Sequence, residues 1–116
     1  MFLLLCSGIS LRNVTNTVVE RVVVHKARSS GLAAELGCSQ VTIEDFDSHD
    51  NTLDGLGGYN TDNSRFVHLN LYSNGAAGLS FDDDFNNNQI EGVIVENTTT
   101  VGIFMRKATS NTFGAL

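Results

Sequence analysis

A glycine followed by alternating residues recurs five times in this chain: Gly8-Ile9-Ser10-Leu11, Gly31-Leu32-Ala33-Ala34, Gly55-Leu56-Gly57-Gly58, Gly78-Leu79-Ser80-Phe81 and Gly102-Ile103-Phe104-Met105. Successive glycines lie 23, 24, 23 and 24 residues apart. A fixed period of this size marks a solenoid, in which each repeat buries its apolar face only against its neighbours. Within each unit the apolar positions alternate with period two, which reads as strand rather than helix. Leucine-rich repeats share the period, but they need a leucine ladder and a return segment of another kind. The Val, Ile, Phe and Thr content here favours strands throughout. The expected fold is therefore all-β, a single-stranded parallel β-helix of about five coils of 23–24 residues. We read residues 1–116 as one β-helix domain, part of or a minimal version of a longer β-helix.

Stacking coils ~4.8 Å apart turns sequence period into vertical columns. The alternating pair after each glycine gives two inward columns, Ile9/Leu32/Leu56/Leu79/Ile103 and Leu11/Ala34/Gly58/Phe81/Met105. A polar turn follows at Asn16, Ser39, Asn63, Asn87 and Asn111, then an apolar position at Val19, Val41, Phe66, Ile90 and Phe113. Val24, Phe46, Leu71 and Val95 complete the expected core, and a second turn leads back to glycine. Stacked asparagines suggest amide ladders at the turns. Each glycine suggests either positive φ or close backbone approach. Glu44 falls where Val22, Leu69 and Val93 sit, so a local irregularity is expected in a second coil that reads as one residue short. Proline is absent, in keeping with ladders that need nearly every N–H.

If positions one and three after the glycine point inward, positions two and four point out on the same face. Position four reads Arg12, Glu35, Tyr59, Asp82, Arg106, and position two reads Ser10, Ala33, Gly57, Ser80, Phe104. One strand face thus carries a tyrosine between two carboxylates with an arginine beyond each, beside mostly small residues. That row suits an extended acidic polysaccharide: arginines pair uronate carboxylates in forked geometry. Tyrosine can stack on a sugar or donate a proton, and a carboxylate can act as base. We take Glu35, Tyr59 and Asp82 as candidate catalytic residues and Arg12 and Arg106 as candidate substrate-binding residues. The plainer alternative is a row of solvated outer positions.

Asp82-Asp83-Asp84 is the densest acidic feature. Asp82 and Asp84 alternate to one side and could face Ca²⁺, which wants 6–8 oxygen ligands. Arg106 could instead neutralise them, or the run could be a bland acidic turn. His25, His49 and His68 look scattered, as turn or surface residues. Cys6 and Cys38 lack C-x-x-C spacing and read as buried free thiols. Met1 to Cys6 has too short an apolar stretch and no basic start for an export signal, and reads as a strand.

Charge closes off other classes. Seven Lys plus Arg against 13 Asp plus Glu give a formal charge of −6, which leaves no bulk basic face for nucleic acid. No apolar run approaches the roughly 20 residues of a membrane-spanning helix. Open strand edges and an apolar cross-section at each end of a short solenoid suggest end-to-end homo-oligomers.

The stretch from Ser30-Gly31 through Ser48-His49-Asp50-Asn51-Thr52-Leu53-Asp54-Gly55-Leu56 resembles the right-handed β-helix of mannuronan C5-epimerases, within the wider pectate-lyase-like superfamily. The match is tightest at Val41-Thr42-Ile43, His49-Asp50-Asn51 and Leu53-Asp54-Gly55. The resemblance implies a right-handed helix, action on uronate polymers and an extracellular or cell-surface setting. Where those epimerases carry Tyr-Gly-Phe-Asp-Pro-His, this chain has Leu32-Ala33-Ala34-Glu35-Leu36-Gly37, which keeps only the acid, Glu35. A second family acid would fall at Tyr59. Phe81-Asp82 matches the Phe-Asp pair two coils on, with Leu79 and Asp84 in place of its tyrosine and histidine. Asp82, Asp84 and Arg106 imitate a pectate-lyase arrangement of calcium-bound acids with an arginine base. Three functions remain open: a lyase- or epimerase-like enzyme on uronate polymers, a non-catalytic sugar-binding module, and a structural solenoid segment of a larger surface or fibre protein.

Overall fold

The structure, a computed structural model, describes residues 6–114, and the strand expected over Met1 to Cys6 lies outside them except for Cys6. Thirteen strands and no helix are found among the described residues. In chain order they are β1 (Ile9–Arg12), β2 (Thr15–His25), β3 (Leu32–Glu35), β4 (Cys38–His49), β5 (Leu56–Tyr59), β6 (Thr61–Asp62) and β7 (Arg65–Tyr72). There follow β8 (Leu79–Asp82), β9 (Phe85–Asn86), β10 (Gln89–Glu96), β11 (Ile103–Met105), β12 (Ala108–Thr109) and β13 (Thr112–Gly114). The strands after each glycine form a five-stranded parallel sheet in the order β1-β3-β5-β8-β11. The remaining strands form a broad second sheet, also parallel, that wraps the rest of each rung. Four full turns and a partial fifth rung are present, each winding once around a single core.

That core is the set of columns the period creates. Leu32, Leu56 and Leu79 are fully buried one above another, and Ile43, Phe66 and Ile90 form a second such column. Column members compensate in volume. Gly58 sits beside Phe81 and Phe85, whose rings stack with centroids 4.0 Å apart, and a β-carbon on Gly58 would come within 2.6 Å of Phe85. Phe66 packs at a tilt on both, at 5.7 and 5.5 Å.

Gly8, Gly31, Gly55 and Gly78 act through close approach, Gly102 meets only an ordinary contact, and none of the five has positive φ. A β-carbon on Gly31 would collide with the Ser48 hydroxyl and lie 2.7 Å from the Gly55 carbonyl. The corners instead take positive φ at other residues, and six Asn and four Asp are among the eighteen non-glycine residues that do so. Their short polar side chains tolerate the left-handed region best. Even the middle of the long strand bends this way, at Arg21, Asp45, His68 and Gly92.

The expected irregularity exists, with the opposite sign. Coils two and four carry two residues, Leu36-Gly37 and Asp83-Asp84, at a corner where the others carry one. The second coil is thus one residue long, which accounts for the 24-residue spacings. Ile43, not Val41, stacks between Val19 and Phe66, while Val41 pairs with Thr17. Phe46 takes the core position between Val22 and Leu69, Ser48 stands between Val24 and Leu71, and Glu44 lies outside beside Glu20 and Val67. The asparagine column shifts likewise. Asn63 and Asn87 occupy a positive-φ bend, and Asn88 meets Asn111 in a half-buried amide ladder (3.2 Å), while a buried ladder joins Asn51 to Asn74 (2.9 Å) at the second turn. Every buried side-chain polar atom among the described residues has a hydrogen-bond partner. Of the two thiols expected to be buried, Cys38 is buried and Cys6 is exposed.

Candidate functional site

The outward row follows from the register of the five-stranded sheet. Arg12 pairs with Glu35, and Tyr59 pairs with Asp82. Continuing the Ala34–Gly58 and Phe81–Met105 pairings by one residue brings Glu35 beside Tyr59 and Arg106 beside Asp82. All five candidate residues therefore occupy one column. Ala33, Gly57 and Ser80 run alongside them.

Within the column the side chains make contacts that alternation does not specify. Arg106 grips Asp82 through Nε (3.0 and 3.2 Å) and Nη2 (2.7 Å), and the Asp82 carboxyl is held below its usual range, first by these bonds. Asp82 is 7% exposed, while the Arg106 side chain remains 63% exposed. Nη1 takes no part in this grip, so its donors are open to another acceptor. Arg12 sits more loosely against Glu35, Nε to Oε1 3.6 Å. Arg106 thus pairs with the first residue of the acidic run. Asp83 and Asp84 are exposed in the corner at positive φ. No group of three or more His, Cys, Asp or Glu among the described residues is placed to hold a metal ion.

Tyr59 does not reach up or down the column; its ring folds back along the strand. A β-carbon on Gly57 would lie 2.6–2.9 Å from three atoms of the phenol, so only glycine leaves room for the ring there. The Tyr59 hydroxyl donates to Asp54 Oδ2 at 3.3 Å, and Asp54 Oδ1 accepts from the Ala77 amide at 2.9 Å. Burial pushes the Asp54 carboxyl up, and the Ala77 amide and the phenol pull the other way. Burial also pushes the Tyr59 phenol up; Ser80 opposes this, and the Asp54 and Glu35 carboxylates add to it. The phenol is therefore neutral at pH 7, a donor rather than a base. Asp54 is a site residue that sequence reasoning missed, because it precedes the glycine and lies outside the strand whose alternation defines the row.

These two carboxylates give opposite pH signatures. Asp82, with its lowered value, contributes stability above the ordinary carboxylate range that is lost as pH falls through its folded value. Asp54, with its raised value, binds its proton more tightly in the folded chain, so its contribution is lost as pH rises from the ordinary range through the raised value. Asp54→Asn should remove that second loss, giving a steeper gain in stability between pH 4 and pH 7 than in the parent, measured by urea unfolding. An identical pH slope in the two proteins would refute the assignment.

A second feature lies at the corner before each glycine. His25, His49 and Tyr72, far from scattered, share a column and stack with ring centroids 5.3 and 4.6 Å apart and planes 7° apart. Their spacing of 24 and 23 residues was the signal that could have shown it. His49 Nδ1 lies 2.6 Å from Asp50 Oδ2. Next to this column a shallow cleft of about 420 Å³ opens, rimmed by Asp50, Ser73, Gly75, Asn97 and Thr99. The buried ladder amides of Asn51 and Asn74 form its floor.

The model of a family described as the right handed beta helix region matches residues 6–114. No curated protein and no solved structure matches the chain significantly.

Proposed function

We propose that this chain, which belongs to the family of right-handed β-helix regions, binds an extended acidic polysaccharide along the five-stranded sheet. The observation that carries the reading is the Tyr59 ring, half-buried over Gly57, between Ala33 and Ser80 on neighbouring strands. Such a ring offers a sugar a flat apolar surface, and its hydroxyl is already held by Asp54. Arg12 and Arg106 lie four rungs apart at the two ends of the row, where a polymer parallel to the solenoid axis presents successive carboxylates. Asp82 orients Arg106 and leaves Nη1 for the ligand. In this reading the pectate-lyase-like resemblance extends to ligand class.

Calorimetric titration with hexagalacturonate or a mannuronate oligomer tests the proposal. Binding should weaken as salt rises, because exposed charges are screened. Tyr59→Ala should weaken it by about tenfold, the scale of losing one stacking surface. Binding indifferent to Tyr59→Ala, or no binding at all, would leave the structural solenoid segment as the better account.

The Tyr59–Asp54 pair favours a second reading in which the same face also cleaves the chain as a lyase. Glu35 would take the sugar's α-proton as the bond to the leaving glycosidic oxygen breaks, and the neutral Tyr59 phenol would protonate that oxygen. The product carries a carbon–carbon double bond, read by the absorbance of unsaturated uronate. Tyr59→Phe should abolish that absorbance while retaining binding; binding without absorbance in the parent means a sugar-binding module.

A further inference from the structure

We infer that Phe104 is a second stacking surface on the face that carries Tyr59, so that three consecutive sugars of one chain are held there, the outer two on the rings. The inference rests on the reading of this face as a saccharide site. The Tyr59 ring lies over Gly57, and Gly57 is in register with Ser80 on the next rung and Ser80 with Phe104 on the one after. Both rings therefore stand over one column. Its residues point outward on every rung, so Phe104 belongs to the outer face whether or not a further rung follows. Phe104 is 39% exposed, whereas Phe46, Phe66, Phe81 and Phe85 are fully buried. It is the one exposed phenylalanine among the described residues. Between the two rings the column holds only the small side chain of Ser80, which stands next to the Tyr59 phenol.

Spacing selects the ligand. Two rungs set the rings about 10 Å apart along the solenoid axis. A pyranose in an extended chain advances by about one rung, so the sugars on the two rings have one sugar between them, over Ser80. Arg106 leans from the Phe104 rung onto Asp82, two residues along the strand from Ser80, and its uncommitted Nη1 is beside that middle sugar. A uronate carboxylate there meets a guanidinium donor. The carboxylates that border this stretch are already engaged. Glu35 faces Arg12, Asp54 holds the Tyr59 phenol and the Ala77 amide, and Asp82 is gripped by Arg106. Asp83, Asp84 and Lys107 lie beyond the row, in the positive-φ corner.

Calorimetry with di-, tri- and hexagalacturonate tests this through chain length. A disaccharide can use one ring and a trisaccharide both, so the parent should bind trigalacturonate about tenfold more tightly than digalacturonate. Phe104→Ala, at an exposed position, should erase that step, so that tri- and digalacturonate bind alike, with the urea midpoint of the parent. Phe104→Tyr should restore the step. The chain has no tryptophan, so Phe104→Trp supplies a single reporter, whose emission should change saturably with trigalacturonate. Binding that weakens in Tyr59→Ala and is unchanged in Phe104→Ala overturns the second surface while the saccharide face stands. So does an equal loss for both lengths in Phe104→Ala, or a Phe104→Trp emission that ignores the ligand. A parent that binds none of the three oligomers overturns the saccharide face and this inference with it.

Discussion

Gly31→Val should cost about 3 kcal/mol or more, at or above the upper end of ordinary overpacking. Most overpacked sites relax by moving a side chain, and this one has backbone on the other side. The added β-carbon alone meets the Ser48 hydroxyl, stands 2.7 Å from the Gly55 carbonyl and 2.9 Å from the Asn51 amide nitrogen. Two further methyl groups would have to push the next rung away, which breaks the bond from the Leu32 amide to the Gly55 carbonyl. It also disturbs Asn51, whose amide bonds both Ser48 and Asn74. Against a total stability of about 5–15 kcal/mol, the variant should lose a large part of its folded population, read by urea unfolding. A midpoint unchanged from the parent would show that the rungs are not packed glycine on carbonyl.

Phe66→Ala should cost about 3–5 kcal/mol by the transfer and cavity terms together. Phe66 is fully buried at the centre of the tallest part of the core, between Ile43 and Ile90 and against Phe81 and Phe85. A solenoid rung has little freedom to collapse into the cavity, because each neighbouring residue is held in register by strands above and below. The effect should appear as a lower thermal midpoint with the β-sheet signal of the folded state intact. Phe66→Leu, which refills most of the volume, should recover much of the loss. If alanine and leucine gave the same small loss, the aromatic cluster would not be the centre of the core.

The solenoid was legible because a rung closed by glycine packed on a neighbouring carbonyl leaves no other residue type at that place, so the period shows directly. The column Leu32–Leu56–Leu79 follows from counting, since it stands immediately after the glycine. Columns farther along the rung drift wherever a corner holds an extra residue. Leu36-Gly37 therefore hid that Ile43, rather than the also buried Val41, stacks between Val19 and Phe66, and that Phe46 stacks with Val22 and Leu69 rather than with Val24 and Leu71. The same logic divides the candidate site. Strand alternation places Arg12, Glu35, Tyr59, Asp82 and Arg106 in one row, but it says nothing of where a long side chain goes once outside. That Arg106 turns onto Asp82, and Tyr59 turns back over Gly57 to Asp54, depends on small neighbours and partners off the strand.

The most direct test of the proposed sugar-binding face is an amide chemical-shift map of the chain titrated with hexagalacturonate. Perturbations should recur once per turn, at residues 12, 35, 59, 82 and 106 with Asp54 and Ser80 beside them, all on one strip of the solenoid. Perturbations gathered instead at the histidine corner, spread evenly around the rungs, or absent at saturating ligand would contradict it.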